Sequence, residues 1–522
     1  MARNAASVPN GLQGRPVNLR HQLAYGGGNL LGSGALAISG AWLLYFYTTF
    51  CGLTLIEAAF IFSFASVIDA ISNPLMGYLT DNFGKTRLGK RFGRRRFFLL
   101  IGIPLMMFYP MLWVEGLSFW YYLCTYVVFE IIYTSVMVPY ETLATEMTDD
   151  FALRSKLTGY KAIFGKLANF LAAFIPGQFI LLYGKESATP FFLTGLTYGA
   201  ILICAVACLW YNSWERPREE EPEVQVKKGL LNTLVSLAKD MRSTFYLRVF
   251  RKHLGMYLCG FGAEWLFASI FTYFVIFVLQ HDPAMVAGLN SLNSILQLIS
   301  TALFIGFCVK KGFSKPYIMA LSVVVFAVLL YTSLWFFHLP AHLATILMFG
   351  ITVLFGLGTG GVYYIPWTVY TFLADVDEIY TGRRREGIYA GAMTFSGKIL
   401  RSIIVFVMGA VLSYYGFQSK AHVQPESAVN AIAVVFCAGV ALLALAAMVF
   451  SKQMKLDRET HQIVLQEVAR IKAGGKLEDI TPEVRVVVED LVGHRYEECW
   501  GNSPLFKTAE TPIVVEAVSA GR

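Results

Sequence analysis

The sequence predicts an all-α membrane protein with twelve spanning helices in two pseudo-symmetric halves of six. Three observations predict it. Hydrophobic residues make up 56% of the 522 and charged residues only 15%, where a soluble domain carries roughly 25% charged. Mean hydropathy is +0.54. The apolar residues gather in runs near the ~20 residues that a spanning helix needs.

The runs lie near 29–50, 55–80, 97–114, 118–140, 157–183 and 189–213, then near 253–280, 284–309, 316–337, 342–373, 387–415 and 427–451. The expected organisation is an N-terminal segment 1–28, a first half 29–213, a central loop 214–252, a second half 253–451 and a tail 452–522. The loop after the second run gathers Lys85, Arg87, Lys90, Arg91, Arg94, Arg95 and Arg96. Arg154 with Lys156, the central loop, Lys310 with Lys311 and Lys315, and Arg383 to Arg385 fall on the same side. The alternate loops, such as Cys51 to Thr54 and His281 to Pro283, are nearly uncharged. Lys/Arg asymmetry marks the cytoplasmic side. Both termini and the central loop are therefore expected in the cytoplasm, with the chain in a bacterial inner membrane as a monomer.

The net charge of +8 thus reads as membrane topology; nucleic-acid binding would need a basic face on a soluble domain. The eight cysteines lie mainly in apolar runs without a CxxC pair, so no metal site is expected. No glycine loop sits between a strand and a Lys-Ser/Thr, and no nucleophile stands with a base. No cofactor and no enzyme activity are expected. The polar first thirty residues hold no compact apolar core of a cleaved signal peptide.

The two sets of six suggest a duplication. Gly77 to Lys85 has an echo in Gly306 to Lys315, Val138-Pro-Tyr140 in Ile365-Pro-Trp367, and Phe164-Gly-Lys166 in Ser396-Gly-Lys398. The echoes fall in the same order, in the second, fourth and fifth runs of each half. Parallel repeats about an axis along the membrane normal are the arrangement of major facilitator transporters.

Charges inside the runs carry the functional signal. Counted inward at about 1.5 Å per residue, Asp69, Glu130, Lys166, Glu264 and Lys398 lie near mid-bilayer, with Arg401 one turn beyond Lys398. Such charges are costly in lipid, so they face a cavity or pair across helices. The structural alternative is pairing that only fixes packing; the functional one is a central cavity between the halves, where solute and coupling ion bind. Lys166 and Lys398 hold equivalent repeat positions, which places them on opposite walls, facing an anionic solute group or else Asp69 and Glu130. Asn293 and Gln297 either line the cavity or bond a neighbouring helix. Tyr363 and Tyr364 either form an aromatic wall or pack. Pro139 and Pro366 are expected to kink their helices. Gly26 to Gly28 and Gly356 to Gly361 read as close helix contacts. The stretches Asp457 to Arg470 and Val484 to Val492 read as amphipathic tail helices, which either dock on the carrier or regulate it.

With these residues in view, the chain resembles the glycoside–pentoside–hexuronide:cation symporters, the melibiose-carrier branch of the major facilitator superfamily. The resemblance covers roughly residues 20–450 and rests on Tyr25-Gly-Gly-Gly28, Asp69-Ala-Ile-Ser-Asn-Pro-Leu-Met-Gly77, Val138-Pro-Tyr140 through Arg154, and Leu373-Ala-Asp-Val-Asp377 through Gly382, Glu386-Gly387 and Lys398. It implies a cation site at Asp69 and at Asn73, which replaces the family's second carboxylate, with Lys398 close by and Glu130 a candidate to compensate. The family's sugar-binding acids correspond to Ser33 and Met137. Solute candidates are then Ser33, Glu130, Met137, Lys166, Glu264, Asn293, Tyr364, Lys398 and Arg401. Gating candidates are Asp81, Lys85, Arg91, Asp375 and Asp377. With one carboxylate of the three retained, the expectation shifts from sodium to protons, because a desolvated carboxylate can protonate. The segment from Phe129-Glu130 to Val138-Pro-Tyr140 also looks like the lysophospholipid symporters of the superfamily.

The expected function is symport of a glycoside or other small, sometimes anionic, organic solute by alternating access, coupled to H⁺ or else Na⁺. A lysolipid or amphipathic-solute carrier, an uncoupled facilitator or exporter, and a non-transporting sensor acting through the tail stay open as alternatives.

Overall fold

The computed structural model describes residues 16–84, 86–148, 151–215, 230–337, 340–382, 385–419, 421 and 423–502. Among the described residues, eleven helices are long and apolar enough to cross a membrane. The first span is Leu19–Thr49. The second is Leu55–Phe83, the fourth Phe119–Met147, the fifth Phe151–Tyr183 and the sixth Thr189–Asn212. The seventh is Arg248–Val278, the eighth Pro283–Lys311, the ninth Ser314–Phe337, the tenth His342–Thr381, the eleventh Glu386–Tyr414 and the twelfth Glu426–Lys452. The third expected span is built from two short helices, Arg96–Leu105 and Phe108–Met111. Its break falls between Pro104 and Pro110, which supply no N–H donor.

The first span begins ten residues before its expected start near 29. Arg20, His21 and Gln22 lower the apolar score there, yet Gln22 and Tyr25 are buried where this turn packs on the fifth and sixth spans. The span then widens into π-helical turns at Leu30–Ala35 and Ser39–Leu43. Tyrosines reach the carbonyls of this stretch: Tyr198 donates to Leu30 O at 2.8 Å and Tyr133 to Gly32 O at 3.1 Å. A membrane helix tolerates such irregularity where neighbours satisfy its backbone. Gly34 makes the approach of Tyr198 possible, because a Cβ there would lie 1.6 Å from the phenol oxygen.

The glycines of the tenth span admit close neighbours, as expected. A Cβ on Gly356 or Gly360 would lie 2.7 Å from Leu296 Cβ or 2.6 Å from Ser300 Cβ of the eighth span. One on Gly358 or Gly361 would lie 2.8 Å from Val324 Cγ2 or 2.7 Å from Ala320 Cβ of the ninth. Pro139 and Pro366 both stand inside continuous helices.

The halves meet chiefly through the second and eleventh spans and the fifth and eighth. At the end with uncharged loops the seam is tight. A Cβ on Gly177 would fall 2.6 Å from Ala287 Cβ, and one on Gly409 would fall 2.5 Å from Ala59 Cβ. Thr48 and Tyr273 share a hydroxyl hydrogen bond of 3.1 Å, and Thr272 donates to Ala41 O at 3.0 Å, tying the first span to the seventh. Toward the basic-loop end the same four helices carry glycines that border open space. A Cβ on Gly77, Gly159, Gly306 or Gly391 would meet no described atom within 4 Å.

At the basic-loop end the first half is braced by two carboxylates. Glu215 accepts the backbone N–H groups of Arg94, Arg95 and Arg96 at 3.0, 2.7 and 2.5 Å, donors that a helix start leaves unsatisfied. Glu146 pairs with Arg94 and Arg95. The tail forms helices Arg458–Lys472 and Pro482–Val492. Their apolar faces, including Val464, Val468, Val488 and Leu491, are buried, against Leu373–Thr381 and each other. His461 meets Asp375 at 2.8 Å, Lys472 meets Glu378 at 2.6 Å, and the Trp500 N–H caps Ile379 O at 2.7 Å. The tail therefore docks on the second half.

Candidate functional site

Asp69 occupies the face of the second span that meets the eleventh, and it is 6% exposed. Lys398 crosses from the other half to form an ion pair with Asp69 Oδ2. The Thr134 hydroxyl donates to Oδ1 from the fourth span. Asn73, one turn along, donates its amide to Oδ1 at 3.1 Å and to the Asp69 carbonyl at 2.7 Å. Both carboxylate oxygens thus already accept from donors. A buried pair of this kind offsets much of its own desolvation but leaves a large penalty if one partner is removed.

Glu130 is buried one turn before Thr134, within electrostatic reach of Asp69, Lys398 and Arg401. Arg401 extends toward the first span, where a Cβ on Gly40 would lie 3.2 Å from its Nη2. Among the described residues, no side-chain hydrogen bond or ion pair engages its guanidinium.

A second cluster mirrors the first. Lys166 of the fifth span crosses in the opposite sense and donates to Gln297 Oε1 of the eighth at 2.8 Å. Its ammonium lies 5.5 Å from the centre of the Tyr363 ring. Glu264 is 6% exposed, has Lys166 in electrostatic reach, and keeps Oε1 buried without a hydrogen-bond partner. Each lysine therefore reaches the second helix of the opposite half.

The other expected residues lie around these clusters. Ser33 sits in the π-helical stretch with its hydroxyl 3.1 Å from where a Cβ on Gly165 would be, and the Met137 methyl lies 2.7 Å from the same point on Gly32. These two positions pack the first span against the fifth and fourth. Asn293 turns its buried, unpartnered Oδ1 toward Gly356, 3.1 Å from a Cβ there. Tyr364 is half-buried in the tenth span.

The gating candidates divide. Lys85 lies outside the described residues, and Asp81 is described only by its backbone, inside the second span. Arg91 is exposed, with its guanidinium 5.1 Å from the Phe92 ring centre. Asp375 belongs to the tail contact with His461. Asp377 is fully buried and accepts Arg385 Nε and Nη2 at 2.8 and 2.7 Å and the Tyr389 hydroxyl at 2.6 Å. Arg385 also donates to Ser243 at 2.7 Å, which ties in the helix Leu230–Thr244.

Sequence reasoning missed Thr134, whose signal is its place one turn after Glu130 in an apolar run. It also missed Gly177 and Gly409, which are separated by the same interval as Lys166 and Lys398. Phe261 and Trp265 of the seventh span, with ring centres 5.7 Å apart, carried no pattern beyond aromatic content.

A helical bundle of two like halves, with charges buried where they meet, defines a multi-pass membrane transport protein. The model of the MFS/sugar transport protein family matches residues 24–458, and the chain belongs to that family, consistent with its resemblance to the glycoside–pentoside–hexuronide:cation symporters. It is a transporter and not an enzyme. An uncharacterized symporter of Synechocystis sp. is 25% identical over 88% of this chain and 98% of its own length. The putative glycoside/cation symporter YagG of Escherichia coli is 26% identical over 76% of this chain and 83% of its own. Among solved structures, a D-xylose–proton symporter aligns with a TM-score of 0.55 at 14% identity, covering 81% of this chain and 96% of that one. That likeness concerns the fold.

Proposed function

We propose that the protein takes up a glycoside or related sugar across a bacterial inner membrane by proton symport, with its basic loops and both termini in the cytoplasm. The observation that carries the coupling is the set of donors on Asp69. Hard cations such as sodium seek several oxygen ligands. Here an ammonium, a hydroxyl and an amide N–H converge on the carboxylate, and Lys398 stands where a cation would.

A proton on Asp69 cancels the charge that holds Lys398. Because that pair joins the halves, its protonation state acts on the contact across which alternating access takes place. The described conformation, tight at the uncharged-loop end and with open space beside the glycines toward the other, fits the inward-open state of this cycle. Arg401, beside Gly40 and without a hydrogen bond or ion pair among the described residues, is suited to an anionic substituent such as the carboxylate of a hexuronide.

The amphipathic-solute alternative calls for an apolar groove that opens on the charged clusters. The groove of about 1130 Å³ lined by Leu23, Gly27, Leu30, Ala200 and Cys204 lies within the first half and reaches none of those charges.

The test is uptake of labelled methyl glucoside, methyl xyloside and methyl glucuronide by proteoliposomes under an imposed proton gradient, with and without Na⁺. The proposal predicts accumulation driven by protons and indifferent to Na⁺. Accumulation only with Na⁺ overturns the proton assignment, and flux of none of the three overturns the glycoside assignment.

A further inference from the structure

The two mirrored clusters differ in how their carboxylates are satisfied. Asp69 accepts from Lys398, Thr134 and Asn73. Glu264 Oε1 is buried and, among the described residues, accepts from nothing. The cation whose field reaches it is Lys166, yet that ammonium gives one of its three N–H groups to Gln297 at 2.8 Å, and no ion pair joins it to Glu264 within 4.0 Å. A buried acceptor left unpaired is costly, so this cluster is incomplete until something carrying a donor enters it.

The surroundings say what shape enters. Tyr363 lies beside Lys166, Phe261 meets Tyr363 edge-on with centres 5.1 Å apart, and Trp265 follows 5.7 Å from Phe261. Trp265 and Tyr363 are only partly buried. A few convergent polar groups beside aromatic faces is the usual composition of a small-molecule site. A sugar ring fits such a place, its C–H face on the rings and its hydroxyls at the edge, each able both to donate and to accept.

We propose that Glu264, Lys166 and Gln297 form a hydroxyl-recognition subsite in the second half. One hydroxyl of a pyranoside donates to Glu264 Oε1, its vicinal neighbour accepts from Lys166, and the ring lies against Tyr363 and Trp265. This rests on the glycoside reading above and adds a division of labour to it: the saturated carboxylate of the first half couples, and the unsaturated one of the second half reads the solute. A proton held by Glu264 would also complete the cluster, so the test separates the two.

Full-length protein in nanodiscs is titrated calorimetrically with methyl glucoside, methyl xyloside and methyl glucuronide, and with singly deoxygenated forms of whichever binds. Glu264→Gln is expected to raise Kd at least about tenfold, as for loss of a charged hydrogen bond, and Glu264→Asp to recover part of it. One deoxy analogue should bind the wild type about as weakly as its parent binds Glu264→Gln, with the proton-to-solute ratio of transport unchanged. Lys166→Gln is the second variant should Glu264→Gln fail to fold, and the same loss of affinity is expected. Unchanged affinity in a folded variant overturns the subsite while the glycoside reading stands. So does unchanged affinity with a lowered proton ratio, which makes Glu264 a coupling group. If the wild type binds none of the three glycosides, the glycoside reading fails and the subsite fails with it.

Discussion

Lys398 of the eleventh span reaches across the interface between the halves and pairs with Asp69 of the second. Lys166, its counterpart in the repeat, makes the reverse crossing to Gln297. One crossing ends on a charge and the other on an amide. The two halves thus share this geometry and differ in its electrostatics, and Asp69 is a buried acid bound directly to a lysine of the other half.

Removing one partner of that pair should destabilise the protein more than removing both. Lys398→Ala leaves a carboxylate buried without its counter-ion, a change that costs roughly 3–5 kcal/mol in a closed interior. Lys398 is 31% exposed, so a loss toward the lower end is expected. Asp69→Asn combined with Lys398→Met should recover most of it. Thermal unfolding in detergent checks this, and a double variant no more stable than Lys398→Ala would show that the pair is not the source.

The glycine seams predict two opposite phenotypes. Gly409→Leu places atoms where Ala59 Cβ and Leu55 O already lie 2.5 and 3.2 Å from a Cβ, so the uncharged-loop end cannot close. Gly391→Leu meets nothing within 4 Å in the described state. It should fold with a wild-type melting temperature and bind solute, yet lose at least tenfold in turnover, because the basic-loop end must close during the cycle. Thiol labelling at the two ends together with transport rates tests both. Wild-type turnover by Gly391→Leu would contradict the proposed movement.

The tail should loosen in acid. Burial acts to raise the Glu467 carboxyl, but hydrogen bonds from Arg470, both 2.9 Å, and from Tyr496 outweigh it, and its pKa falls below the usual carboxylate range. A group lowered in the folded state stabilises fully above its unfolded pKa of about 4.3 and loses that contribution as pH falls through the folded value. A fluorophore on Glu478→Cys should therefore report steady docking at neutral pH and release in acid. Glu467→Gln, which loses bonds to Arg470 and Tyr496 within the tail, should be weaker at pH 7 and show a smaller acid step. An identical pH profile for both proteins would remove Glu467 from the contact.

Much of this architecture is legible in the sequence because lipid imposes it. Run lengths and loop charges mark where helices cross; the third span, read as one run near 97–114, is two short helices because its prolines interrupt it. Asp69, Glu130, Lys166, Glu264 and Lys398 stood out because a charge in an apolar run is costly. Their partners were left open between an anionic solute group and each other. Whether Lys398 meets Asp69 or a solute depends on the rotation of two helices more than three hundred residues apart in the chain. Thr134 and Gln297 are ordinary polar residues until a charge from the other half reaches them. Asn293 shows the opposite limit: its spacing with Gln297 suggested a shared face, but its carbonyl turns into the contact with Gly356.

The central claim is that the proton acts at Asp69. Its most direct test measures accumulation of a bound glycoside by Asp69→Asn in proteoliposomes under an imposed pH gradient, with solute exchange followed in the same vesicles. The account predicts that accumulation is lost while exchange continues, because a neutral residue 69 no longer needs a proton for the halves to move. Accumulation at the wild-type level by Asp69→Asn would contradict it.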